Sequence, residues 1–244
     1  MGNLLSNMQR YFASLDHQNV ILSQDDVFHL TKVMRVKENE RIQVVDKNTH
    51  KSFLAVVLQI NPLKVIIQEP INEEVELDKN VTLLFALAKS DKIEFVIQKA
   101  TELGAKRVVL FQGKRSVVKF SKDDFARKEA RYISIAKEAA EQCHRQYIPE
   151  IIYVDNIKGI KDHLEDINLF AYELEAGKST DLESMLKTHQ SVSVIIGPEG
   201  GFDESEASYL KELDFKPISL GKRILRCETA AVYALSVISY LLEK

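Results

Sequence analysis

The sequence predicts an α/β protein in which a sheet of mostly parallel strands, covered by helices, follows a small β-barrel domain. Three observations carry this. From residue 81 onward, apolar runs alternate with amphipathic stretches, at 81–88, 92–103, 107–111, 122–143, 151–154, 168–172, 182–187, 192–196, 204–213, 217–220 and 229–242. Residues 8 to about 75 instead hold runs rich in β-branched residues, at 20–22, 41–46, 51–60 and 63–68, with one short helix. Between the two, residues 70–79 are acidic and without periodicity, the composition of a linker. The domains are accordingly placed at 8–73 and 79–244.

In the barrel segment, Ser23 can cap the short helix. In the second segment Ile93, Val96, Ile97, Ala100 and Leu103 fall on one helical face, and Gly104 follows as a C-terminal stop. A stripe of Phe125, Tyr132, Ile133, Ala136, Ala140 and Cys143 makes one long helix and leaves Lys128, Arg131 and Lys137 for solvent or ligand. Asp203 with Glu206, and Thr180 with Glu183, have the spacing of capping boxes that open two later helices.

With 45% hydrophobic and 28% charged residues over 244 positions, disordered and fibrous classes are excluded. No apolar run reaches the roughly eighteen residues of a membrane span, so a soluble, cytoplasmic protein is expected. Cys143 and Cys227 lie far apart and outside any CxxC pair, which argues against a disulfide framework or a metal site and suits a reducing compartment. The start Met1-Gly2-Asn3-Leu4-Leu5-Ser6 matches a permissive N-myristoylation pattern, the alternative being an extension upstream of a start at Met8. The net charge of −3 hides an asymmetry: residues 89–145 carry fourteen Lys and Arg against eight Asp and Glu. That surplus can draw a polyanion, although a solvated helix face has the same composition.

Three of the nine glycines fall in the run Gly197-Pro198-Glu199-Gly200-Gly201, directly after the apolar strand 192–196. Clustered glycines let backbone amides approach a ligand, but a tight strand-to-helix connection would look alike. The next strand also runs into a glycine, Gly221, and then into Lys222-Arg223-Ile224-Leu225-Arg226-Cys227-Glu228-Thr229 before an apolar helix. Ligands bind outside the carboxyl ends of parallel strands, so these two turns and the one after Tyr172 are expected to converge on one crevice.

Six ordered blocks carry a resemblance. They are Met8-Gln9-Arg10-Tyr11-Phe12; His29-Leu30 with Val33-Met34-Arg35; Gln98-Lys99-Ala100-Thr101-Glu102-Leu103-Gly104; Glu138-Ala139-Ala140-Glu141-Gln142 with Arg145 and Pro149; residues 196–202; and Leu220-Gly221 with residues 223–230. Over nearly its whole length the sequence resembles the RsmE family of 16S ribosomal RNA uracil-N3 methyltransferases, of the knotted SPOUT superfamily. The resemblance implies a PUA-like barrel that helps hold RNA, followed by a SPOUT-type parallel sheet whose last segment forms a C-terminal trefoil knot. It implies methylation of uridine N3 in 16S ribosomal RNA of the small subunit, at the family's site, uridine 1498. A homodimer is implied too, with the helix 229–242 at its interface, although an ordinary buried core helix has the same apolar pattern.

The resemblance further places S-adenosylmethionine against Leu174, Gly197, Gly200, Gly201, Leu220, Ile224, Leu225, Arg226, Thr229 and Ala230. Methyl transfer to N3 requires alignment of the base and loss of its imino proton. Arg226 is therefore expected to steady negative charge on the uracil, with Glu228 or Glu199 aiding orientation or proton removal. A glutamate at a helix start can equally serve the dipole, and Glu199 can simply brace its loop. Arg10, Arg35, Lys89, Lys92, Arg115 and Arg145 are the matching candidates for RNA phosphates, with His29 a further one. Cys227 stands where the family pattern more often has Thr, which opens reactivity toward oxidants.

Two alternatives accompany this reading. A SPOUT ribose 2′-O-methyltransferase usually carries Ser-Leu-Asn where this chain has Ser219-Leu220-Gly221. A catalytically silent RNA-binding protein would be expected to lose the loop glycines, which are all present. A Rossmann enzyme would need glycines after its first strand, and Ala88-Lys89-Ser90-Asp91-Lys92 has none.

Overall fold

The computed structural model describes residues 8–172 and 181–244, so the myristoylation pattern, Leu174 and Thr180 lie outside the described residues. The chain divides into two compact units, residues 1–76 with 140–147, and residues 77–139 with 148–244.

The first unit is a closed five-stranded barrel built from β1 (Arg10–Asp16), β2 (Asn19–Ile21), β3 (Arg41–Asp46), β4 (Ser52–Ile60) and β5 (Leu63–Ile71). Its strand order is β1-β2-β5-β4-β3, and a parallel pairing of β1 with β3 closes it. Closure leaves no unpaired edge. Tyr11, Ala13, Leu30, Val44, Ala55, Val57 and Val65 fill the interior. Helix α1 (Gln24–Phe28) begins as expected at Ser23, whose hydroxyl accepts the Asp26 N–H. It runs on into a π-helical turn, His29–Val33.

Two features of this unit differ from the sequence-based expectation. β1 was not expected, because its buried residues Arg10, Tyr11, Phe12 and Ala13 are consecutive rather than alternating. Pro70 and Ile71, expected in the linker, extend β5 opposite Phe53 and Ser52.

The second unit is a six-stranded parallel sheet of β6 (Asn80–Ala86), β7 (Arg107–Phe111), β8 (Glu150–Val154), β9 (Ile167–Ala171), β10 (Ser191–Ile196) and β11 (Lys216–Ile218), in the order β11-β9-β10-β6-β7-β8. Its helices are α2 (Ser90–Glu102), α3 (Lys122–Gln142), α4 (Leu182–Lys187), α5 (Glu204–Glu212) and α6 (Cys227–Leu242). Both faces are covered, as the near-continuous apolar strands require. Leu83, Phe85, Leu110 and Val194 face α2, α3 and α6 through Ile97, Tyr132 and Leu235. Leu84, Val109, Phe111 and Ile195 face the opposite way, onto Ile160, Leu210 and Phe215.

The expected face of α2 is buried through Ile93, Val96, Ile97 and Ala100, and Gly104 follows at φ +87° as the left-handed stop. The capping box of Asp203 and Glu206 is present at α5. The other expected box is not what opens α4: Asp181 caps that helix by accepting the Ser184 N–H. Ile133, expected in the core stripe of α3, is 44% exposed. α6 begins two residues earlier than periodicity indicates, which brings Glu228 into its first turn. No helix among the described residues is long and apolar enough to cross a membrane.

Candidate active site

Three neighbouring strands, β11, β9 and β10, end at the same edge of the sheet, and the turns that leave them enclose a cavity of about 500 Å³. Ala171 and Tyr172 come from β9, Ile196 to Phe202 from β10, and Leu220 to Cys227 with Ala230 from the connection into α6. The volume lies in the range of small-molecule sites.

The glycine run forms a tight turn closed by the Gly201 N–H donating to Pro198 O at 2.9 Å, with Gly201 at φ +70°. A Cβ on Gly197 would lie 3.1 Å from the ring of Phe202, and one on Gly200 would lie 3.1 Å from Arg115 Cβ. Phe202 is itself buried edge-on against Phe170 of β9, at 6.1 Å and 78°. The turn is fixed from outside as well. Arg115 donates to Gly200 O, and the buried Glu206 accepts the N–H groups of Lys114 and Asp203, each at 2.9 Å. Donation from the Ser205 hydroxyl, Lys114 and the Ser205 N–H holds the Asp203 carboxyl down at about 2.

Charged groups gather where α2, the glycine turn and α6 meet. Lys92 Nζ lies 3.2 Å from Glu199 Oε1 and 3.1 Å from Glu228 Oε2. The Cys227 thiol donates to the same Glu228 oxygen at 3.3 Å. Burial, with that bond to Glu228, pushes the thiol up to about 12, so it stays protonated and the oxidant reactivity expected of it is not supported. Burial works to raise the Glu228 carboxyl, yet its backbone N–H, Lys92 and the thiol together hold it below the ordinary glutamate value.

Arg226 occupies the cap position before α6 and lines the cavity. Among the described residues its guanidinium has no ion-pair or hydrogen-bond partner.

Of the sequence-predicted cofactor residues, Gly197, Gly200, Gly201, Leu220, Ile224, Leu225, Arg226 and Ala230 line this one cavity. Ile224 stands at its rim, 95% exposed. Thr229 does not belong to it: one residue past Glu228 the helix has turned, and Thr229 lines a groove with Val232, Tyr233 and Tyr240. Glu199 lines the cavity, whereas Glu228 stands behind it through Lys92 and Cys227.

The cationic candidates separate. Arg35, Lys89 and Arg115 are exposed. Lys92 is engaged with the two glutamates. Arg10 and Arg145, expected at phosphates, are instead buried inside the barrel unit as internal braces. Arg10 pairs with Glu73 at 2.8 Å and with Gln43, and Arg145 forks onto Glu76 at 2.7 and 3.1 Å. Their charges are spent on the two acidic residues that sequence composition assigns to a linker. His29 shares a 2.9 Å hydrogen bond with the buried Tyr11 hydroxyl, the environment of a satisfied histidine.

Comparison with known proteins places this geometry. An RNA methyltransferase domain matches residues 75–239, and an RNA methyltransferase PUA domain matches residues 22–69. The chain is 36% identical to the ribosomal RNA small subunit methyltransferase E of Bacillus subtilis (strain 168), over 97% of this chain and 98% of that one. It is 33% identical to the protein of the same name from Mesomycoplasma hyopneumoniae (strain 232), over 94% and 98%. Among solved structures, a ribosomal RNA small subunit methyltransferase E from Neisseria gonorrhoeae bound to S-adenosyl methionine superposes with a TM-score of 0.85 at 27% identity, covering 96% of this chain and 98% of that one. A methyltransferase from Legionella pneumophila in complex with the bound cofactor SAM gives 0.86 at 29%, over 96% and 98%. Matched by the methyltransferase domain over most of its length and by full-length relatives nearly end to end, the chain belongs to the ribosomal RNA small subunit methyltransferase E family.

Proposed function

We propose that this enzyme transfers a methyl group from S-adenosylmethionine to N3 of a uridine in 16S ribosomal RNA, the family site being uridine 1498, with the assembled small subunit as the natural substrate. The observation that carries the reading is the single cavity made by three adjacent strand ends, with Arg226 on its wall, a guanidinium that has no partner among the described residues. The residues suit the methyl donor. Backbone of the glycine turn and the apolar Ile196, Leu220 and Leu225 make up much of the wall, and relatives of the same fold bind this molecule.

When bound, S-adenosylmethionine supplies a methyl group already activated as a sulfonium substituent. The protein's own part is to align the base and manage its charge. Arg226 is placed to donate to a uracil carbonyl as negative charge develops there. Glu199, which lines the cavity, is the carboxylate better placed to accept the imino proton. Arg35 on the barrel, and Lys89 and Arg115 on the sheet unit, remain as phosphate contacts. In this reading residues 220–230 thread as a trefoil knot of the SPOUT kind; an experimental chain trace that leaves them unthreaded would remove that element.

Two copies are proposed to pair through the outer face of α6. Tyr233 and Tyr240 are 44% and 65% exposed beside the half-buried Val232 and Val237, and together they line an apolar groove on the outer face of the helix. Tyr240→Asp is expected to move the sedimentation coefficient from dimer to monomer. A wild-type protein that sediments as a monomer at micromolar concentration would discard the pairing.

The test of function is tritiated-methyl transfer to small subunits and to naked 16S RNA that both lack the modification. Label is expected in RNA from subunits. No incorporation into either substrate would reject the reading in favour of a silent RNA-binding protein.

A further inference from the structure

We propose that Lys92 is a positioning residue for methyl transfer: its ammonium locks Glu199 of the glycine turn and Glu228 of α6 into one ion-paired cluster that sets the cavity's carboxylate in place. The inference rests on the reading of the cavity given above. It reassigns a residue whose type and position in a basic block point to RNA phosphate.

Lys92 reaches the cluster from the first turn of α2, just beyond the end of β6, while Glu199 follows β10 and Glu228 follows β11. One side chain thus ties together segments that leave three strands of the sheet, two of which form walls of the cavity. The three side chains are only 20%, 28% and 17% exposed, so water screens these pairs less than ordinary surface pairs. An ammonium with two carboxylates at 3.1 and 3.2 Å has little capacity left for a phosphate.

The groups that face Lys92 are Glu199, Glu228 and the Cys227 thiol. The thiol adds a third hold on Glu228 from the residue before it. Without the ammonium, two like charges held by the same lysine would be left unneutralised at a partly buried place, which favours protonation of one of them. The carboxylate that lines the cavity would then be protonated in part of the population and displaced from its present position.

The experiment is Lys92→Met in the full-length protein, with single-turnover methylation of small subunits at saturating RNA and cofactor, measured from pH 5 to 9. The rate at pH 7 is expected to fall about tenfold, with the acidic limb of the profile moved toward neutral pH. Lys92→Arg is expected to recover most of the rate. Repulsion of Glu199 also disturbs the glycine turn, so Lys92→Met should bind the cofactor less tightly; in the double variant Lys92→Met with Glu199→Gln one carboxylate is gone, the repulsion is relieved, and affinity by calorimetry should return toward wild type even though transfer stays slow.

An unchanged saturated rate with a raised KM for RNA would overturn the proposal and make Lys92 a phosphate contact. A lowered melting temperature with an unmoved pH profile would overturn it in favour of a plain structural brace. If Lys92→Met does not fold, the Arg variant decides, since it keeps the positive charge between the two carboxylates: a wild-type profile supports charge-based positioning, and a collapsed rate with normal cofactor binding contradicts it. If the wild type methylates no uridine, it is the reading of function that fails, and the affinity of the double variant still reports on the cluster.

Discussion

Replacing Arg226 by alanine is expected to lower the single-turnover rate at least about tenfold while calorimetric affinity for S-adenosylmethionine changes by less than about threefold. A charge-assisted hydrogen bond contributes roughly 1.5–3 kcal/mol, and here it would form with charge that develops during the reaction. The fold should not respond. Arg226 has extended backbone at φ −65° and ψ 152°, makes no side-chain cap bond and is exposed. Lysine keeps the charge but not the fork, so Arg226→Lys should fall between wild type and alanine. An alanine variant with unchanged rate and unchanged affinity would remove Arg226 from the chemistry altogether.

Gly197→Val should be more damaging, for a reason that the structure supplies. The new Cβ would meet the Phe202 ring at 3.1–3.3 Å, and that ring is held behind by Phe170. Overpacking of this kind costs about 1–3 kcal/mol, and with the ring held from behind the cavity-lining turn itself must shift. Cofactor affinity is expected to fall by more than tenfold, together with a lower melting temperature. Gly200→Val, whose Cβ would press on Arg115, should lose less, because Arg115 is exposed. Equal and wild-type affinities in both variants would separate the glycine run from cofactor binding.

Much of the architecture is readable in the chain because it is set by local chemistry. The apolar strand runs, the Ile93-Val96-Ile97-Ala100 face with its Gly104 stop, and the Asp203 and Glu206 box all act within a few residues. Strand order is different. The placement of β9 between β10 and β11, which builds the cavity, depends on pairings far apart in sequence. β1 was hidden by its consecutive buried residues, and the cap of α4 by an aspartate one place after the expected threonine.

The site follows the same division. The two turns that line the cavity announce themselves by glycines and polar residues after apolar strands. What each charge does there is set across distance. Lys92 meets carboxylates more than a hundred residues away, and no spacing signals it. Arg10 and Arg145 are expected at phosphates because they match the family pattern and carry long cationic side chains. The available signal was the pair of glutamates at 73 and 76, which composition reads as solvated linker and the fold uses as buried counter-charges.

The methyl group is proposed to go to a base nitrogen of a uridine. Mass spectrometry of nuclease fragments from subunits methylated in vitro tests it most directly. The expected product carries a single added methyl group, on N3 of one uridine of 16S RNA, reduced at least about tenfold when Arg226→Ala is used under the same brief exposure. A methyl group on a ribose 2′ oxygen, or on a base other than uracil, would contradict it.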